Sequence, residues 1–148
     1  FTSMTVLLLA LGILTGPWMK KNDSEKQANH DNEYSAERVS DFRAQGQSVF
    51  VNVTADWCIT CMTNEKLALS RSSVLRAFSE ENIAYLKADW THNDPRITEL
   101  LNKFNRSGVP LYIIFPKDGS SEPLILPQIL TTTIILDALD KLEANEVI

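Results

Sequence analysis

The chain has little from which to build a cross-linked framework. It carries two cysteines in 148 residues, Cys58 and Cys61, three positions apart. A disulfide scaffold is thereby excluded, and a single redox or metal-binding pair remains. Histidine is as scarce: His30 and His92 are the only two. Neither stands at a recognised ligand spacing, whereas a structural zinc site wants four ligands. No cluster of Lys and Arg could track a phosphate backbone, and the net charge of −5 points the same way, so nucleic acid is not an expected partner. No internal repeat is visible.

What is present reads as one globular unit with extra sequence in front. Hydrophobic and charged fractions of 44% and 22% are ordinary for a folded domain, and the length allows one real core but hardly two. Phe1–Met19 is apolar, with no charge before Lys20, at the short end of the roughly 17–25 residues that cross a bilayer. It reads as the end of a transmembrane helix, as the apolar part of a signal peptide without its basic lead, or as a core helix without the usual charged face. Membrane anchoring fits best. Lys20 and Lys21 favour a cytoplasmic exit by the positive-inside bias, but Asp23 and Glu25 dilute them. Residues 20–33 are polar, with almost nothing to bury, which is linker composition. The folded domain is expected over residues 34–148.

Within it, Ser35 can cap a helix that carries Ala36, Val39 and Phe42 on one face and stops at Gly46. Ser48–Thr54 is rich in Val and Phe without polar alternation and predicts a strand buried on both sides. A turn at Ala55–Trp57 leads into a helix from the cysteines to Leu69, and Ser72 or Ser73 can cap another with Val74, Leu75 and Phe78. Ile83–Ala88 predicts a second strand. Asp94 followed by Pro95 marks a helix start, with Ile97, Leu100, Leu101 and Phe104 at helical spacing. Leu111–Phe115 and Pro123–Leu126 predict two further strands, and a last helix is expected over Thr132–Ala144. The alternation predicts an α/β domain, a mixed central sheet with helices on both faces.

Trp57-Cys58-Ile59-Thr60-Cys61 falls where the buried strand turns into a helix. Unpaired N–H groups and the dipole at a helix start stabilise an anion. A thiolate is such an anion, so the Cys58 thiol is expected to fall from about 8.5 into the range of roughly 3.5–7.5. Cys61, a turn further on, is shielded beneath it. Cys58 would attack an incoming disulfide and Cys61 would resolve the mixed disulfide. Half of a zinc site and a pair of inert buried cysteines are the competing readings of the spacing. Gly108-Val109-Pro110, just before a strand, is a candidate cis peptide bond. Such a turn would leave the Val109 backbone free to pair with an extended substrate; the plainer alternative is a loop proline that opens an edge strand.

Residues Val49–Lys66, with Thr54-Ala55-Asp56-Trp57-Cys58-Ile59-Thr60-Cys61 and Asn64-Glu65-Lys66, resemble the C-terminal domain of DsbD-type transmembrane thiol:disulfide interchange proteins. The resemblance continues through Leu86-Lys87-Ala88-Asp89-Trp90-Thr91, Ser107–Tyr112 and Leu126-Pro127-Gln128, and covers about Tyr34 to Ala144. It implies a thioredoxin-like fold in the bacterial periplasm, tethered to the inner membrane behind the last helix of a membrane domain. Electrons would come from that domain, or from a separate membrane reductase, and pass to periplasmic thiol–disulfide proteins. No cofactor is implied beyond the Cys58–Cys61 disulfide, and no metal. Phe1–Met19 then looks like the tail of the last membrane helix, which outweighs the two lysines on orientation.

One departure from the family bears on mechanism. The family often has a buried aspartate six residues before the first cysteine, where this chain has Asn52. An amide hydrogen-bonds but takes no proton at neutral pH. Glu65 matches an acidic residue that lies near the pair in the family, and is expected to supply any carboxylate effect on the thiols. Trp57 is expected to pack beside the cysteines and restrict solvent; Asp56 is a weaker candidate. Met62 stands where relatives often have lysine, so no adjacent cation helps the thiolate. Two other functions compete: a membrane-tethered thioredoxin for cytochrome c maturation, and a thioredoxin-fold module that holds a metal or a client peptide without turnover.

Overall fold

A computed structural model of the chain describes residues 32–146. The apolar segment 1–19 and all but the end of the linker 20–33 lie outside them. Along the chain come α1 (Ala36–Ala44), β1 (Ser48–Thr54), α2 (Ile59–Asn64), a π-helical turn (Glu65–Leu69), α3 (Ser72–Glu80) and β2 (Ile83–Asp89). Then follow α4 (Pro95–Lys103), β3 (Leu111–Phe115), β4 (Leu124–Leu126) and α5 (Thr132–Glu146).

The strands lie in the order β2-β1-β3-β4. β1 runs parallel to β2 and antiparallel to β3, and β4 closes the edge antiparallel to β3. Every residue of β1 is buried, because successive side chains feed two different cores. Val49, Val51 and Val53 meet Val39 of α1 and Ile97, Leu100 and Leu101 of α4 on one face. Phe50 meets Phe78 of α3 and Ile135 and Leu139 of α5 on the other. The sheet therefore has helices on both faces, as the pattern of elements predicts. Each large apolar side chain buried this way contributes roughly 1.5–3 kcal/mol, so the central strand is the most firmly held part of the fold. Since that strand delivers the chain to the cysteines, the turn after it starts from a fixed base.

Local signals account for most element ends. Ser35 caps α1 by accepting from the Arg38 N–H at 3.2 Å, and Gly46 ends it with φ of +78°, a conformation glycine adopts without penalty. Asp94 caps α4 by accepting from the Arg96 N–H at 2.8 Å. Asp94→Ala is expected to lower stability by about 1 kcal/mol, read as a lower denaturant midpoint; an unchanged midpoint would show the cap to be idle.

Two expectations need correction. Neither Ser72 nor Ser73 caps α3. The Leu75 N–H reaches the Arg71 carbonyl at 3.0 Å, so the helix closes a residue earlier, with Arg71 at the cap position and no side-chain bond there. Leu75 stands more than half exposed, leaving Val74 and Phe78 as the buried residues of α3. Among the described residues no helix is long and apolar enough to cross a membrane.

Candidate active site

β1 ends at Thr54, and the chain turns at once: the Cys58 N–H donates to the Ala55 carbonyl at 3.0 Å. Cys58 is still extended (φ −90°, ψ 97°) and takes the cap position of α2, where its sulfur accepts from the Cys61 N–H at 3.1 Å. Serine, threonine or aspartate usually does this work. Here the acceptor is the reactive atom itself, and a negative charge on it would strengthen the same bond. Cys58 and Cys61 are joined in a disulfide. Their exposures differ: Cys58 retains 8% and Cys61 none. Ala55 forms a small apolar cluster with both, and Val109 packs against it. Val109–Pro110 is a cis peptide bond, and Pro110 is buried. The structure thus brings Val109 to the cysteines across more than forty residues of chain.

Asn52 and Glu65 also come together. The Asn52 Nδ2 donates to Glu65 Oε1 at 2.9 Å and to the Tyr85 hydroxyl at 2.8 Å. The Glu65 carboxylate in turn pairs with the Lys87 ammonium at 3.5 Å. Lys87 had no assigned role, although the β2 pattern holds a signal. Ile83, Tyr85 and Lys87 alternate with buried Ala84, Leu86 and Ala88, and the parallel register sets Lys87 beside Asn52. The Asn52 Oδ1 is buried without a hydrogen-bond partner.

Burial pushes the Tyr85 phenol from 10.0 up to about 12; the hydrogen bond from Asn52 opposes the rise and the Glu65 charge adds to it. The folded chain therefore keeps this proton longer than the unfolded chain does. The associated stability is whole below pH 10.0 and is lost as pH climbs towards about 12. Denaturation between neutral pH and about pH 11 should show a smaller alkaline loss for Tyr85→Phe than for the parent. Equal losses would contradict the assignment.

Trp57 is 56% exposed, and its ring lies against that of Trp90, with centroids 6.1 Å apart. Its indole N–H donates to the Thr91 carbonyl at 3.3 Å. The Asp56 side chain is exposed, and what holds this residue is its backbone: the N–H donates to Thr91 Oγ1 at 2.9 Å. Asn64, expected to matter only as part of a resemblance, is one of four buried polar residues among the described residues. Its Nδ2 donates to the Tyr112 hydroxyl (2.9 Å) and the Gln128 carbonyl (2.7 Å), and its Oδ1 accepts from the Leu130 N–H (3.2 Å). It ties the loop before α5 to the cysteine helix. The signal was its place three residues after Cys61, on the inner side of that helix. Among the described residues no group of three or more His, Cys, Asp or Glu could hold a metal ion.

A Cys-x-x-Cys pair with Cys58 keeping slight exposure and Cys61 none can trade a disulfide for two thiols. The chain belongs to the thioredoxin-like family, whose family model matches residues 29–117. It is 28% identical over 126 residues to the thiol:disulfide interchange protein DsbD of Actinobacillus pleuropneumoniae serotype 5b, covering 77% of this chain and 21% of that protein. To the protein of the same name from Yersinia pestis (strain Pestoides F) it is 37% identical over 78 residues, covering 53% of this chain and 13% of that one. The chain thus spans about a fifth or less of the length of these relatives. Among solved structures, the oxidised C-terminal domain of Neisseria meningitidis DsbD superposes with a TM-score of 0.55 at 24% identity, covering 80% of this chain and 92% of that one.

Proposed function

We propose that this domain is the periplasmic relay of a membrane-anchored protein-disulfide reductase. It takes reducing equivalents from a membrane domain, of the same protein or a separate one, and passes them to periplasmic thiol–disulfide proteins. The observation that carries the proposal is the asymmetry of the pair, Cys58 at the cap with residual exposure and Cys61 with none.

In the reduced domain the Cys58 thiolate attacks one sulfur of a partner disulfide. A bond forms between Cys58 and that sulfur, and the other partner sulfur leaves as a thiolate and takes up a proton. Cys61, deprotonated, then attacks the Cys58 sulfur, which releases the second partner thiolate and re-forms the Cys58–Cys61 bond. Two electrons and two protons have moved to the partner. Val109 packs against the pair and is joined to Pro110 by a cis bond; the two are the proposed rest for the partner's extended segment, paired through the Val109 backbone. No cofactor beyond the disulfide is required. The similarity to DsbD proteins supports the periplasmic setting and the membrane donor, and Phe1–Met19 would be the tether.

Glu65 is the proposed carboxylate that tunes the pair, held against β1 by Asn52 and balanced by Lys87. A negative charge near the thiols opposes their ionisation. Glu65→Gln is therefore expected to move the pH profile of thiol alkylation to lower pH, and an unmoved profile would remove the tuning role. The proposed function itself is tested by mixing the reduced domain with a protein disulfide and following thiol release. Transfer at the expense of the Cys58–Cys61 dithiol supports a reductase. Binding without transfer would favour the module that merely holds its client.

A further inference from the structure

We infer that Thr91 is a positioning residue for the redox pair: a hook formed by Thr91 on Asp89 holds the Asp56–Trp57 turn, and through it sets the Cys58 sulfur against the start of α2. The inference rests on the redox reading of that pair and adds a residue outside the Cys-x-x-Cys segment to its machinery.

The two residues before Cys58 are both exposed and have little buried contact to hold them. What fixes them is the segment after β2. The Thr91 hydroxyl donates to the Asp89 carboxylate, and the Thr91 N–H donates to the same Asp89 oxygen at 2.9 Å. With its proton committed there, the hydroxyl oxygen presents a lone pair to the Asp56 N–H, 2.9 Å away. The carbonyl of the same residue accepts the Trp57 indole N–H at 3.3 Å. Thr91 therefore holds both residues, one by its backbone and the other by its side chain.

The hook itself is anchored. The Trp90 N–H donates to the Thr54 carbonyl at 2.8 Å, which continues the β1–β2 pairing, and its indole N–H donates to Thr98 Oγ1 of α4 at 2.8 Å. The Trp90 ring lies against Trp57. The segment is thus fastened to the central strand and to α4 before it touches the turn. A turn held this way keeps the Ala55–Cys58 bond closed and Cys58 extended at its cap, the pose in which its sulfur meets the Cys61 N–H. A loosened turn lets that sulfur swing away from the N–H that would stabilise its anion.

Thr91→Val keeps the shape of the side chain and the backbone bond to Asp89 but removes the hydroxyl's bonds to Asp56 and Asp89; Thr91→Ser keeps them all. The test compares these two variants with the parent. In the reduced domain, the rate of Cys58 alkylation by iodoacetamide is measured against pH, and reduction of insulin disulfides is followed alongside. For Thr91→Val the alkylation midpoint should move to higher pH and the rate at neutral pH should fall about fivefold, the worth of one net hydrogen bond. Thr91→Ser should stay within about twofold of the parent. A Val variant with the parent's pH profile, or a Ser variant as impaired as the Val one, would overturn the role of the hydroxyl. Failure of the parent to reduce insulin would count against the reductase reading instead, and the alkylation midpoints would still decide the hook.

Discussion

Cys61→Ser, once reduced and offered a protein disulfide, should accumulate as a covalent mixed disulfide through Cys58. The first half of the exchange needs only the sulfur of Cys58, a residue at the cap of α2 that keeps some exposure. The second half needs a sulfur one helical turn away, already within bonding reach, since the two cysteines form a disulfide in the structure. Serine cannot displace the captured partner by thiol exchange, so the adduct persists until an external thiol arrives. Cys58→Ser should give neither turnover nor adduct, because Cys61 has no exposed surface from which to attack. Electrophoresis without reductant reads both outcomes. Adducts formed through Cys61 in the Cys58 variant would reverse the assignment of roles.

Asn64→Ala should be the most destabilising single change near the site, by about 2–4 kcal/mol. The side chain is 3% exposed and makes three hydrogen bonds, two of them to the backbone at Gln128 and Leu130. Alanine leaves the Leu130 N–H, the Gln128 carbonyl and the fully buried Tyr112 hydroxyl without these partners. Buried polar groups stripped of a partner cost more than the bond was worth, because they have already given up water. The cysteine helix and the loop before α5 lose their tie together. The melting temperature should fall by roughly 10 °C or more, and a fall of a degree or two would mean that water replaces the lost bonds.

How far these features were legible depended on whether their cause is local. The strand Ser48–Thr54 could be read because a central strand has no polar face to show. Ser35, Gly46 and Asp94-Pro95 could be read because caps and stops act over three or four residues. The cysteine pair carried its own spacing, and its place at a helix start followed from the strand before it. Arg71 at the head of α3 was not legible, since two serines nearby offered the better cap and the closing backbone bond decided otherwise. The partners of Trp57, Asp56 and Glu65 were hidden for a different reason. Thr91, Trp90 and Lys87 lie on or just after β2, and nothing local in the sequence says which residue stands opposite across a parallel pair. Sheet register supplies that information, and register is a property of the assembled fold.

Brief alkylation of the reduced domain, quenched and mapped by mass spectrometry, tests the central claim most directly. The expected result is label on Cys58 with Cys61 unmodified until the chain is unfolded. Label appearing on Cys61 first, or on both sulfurs at the same rate, would contradict the division of labour between them.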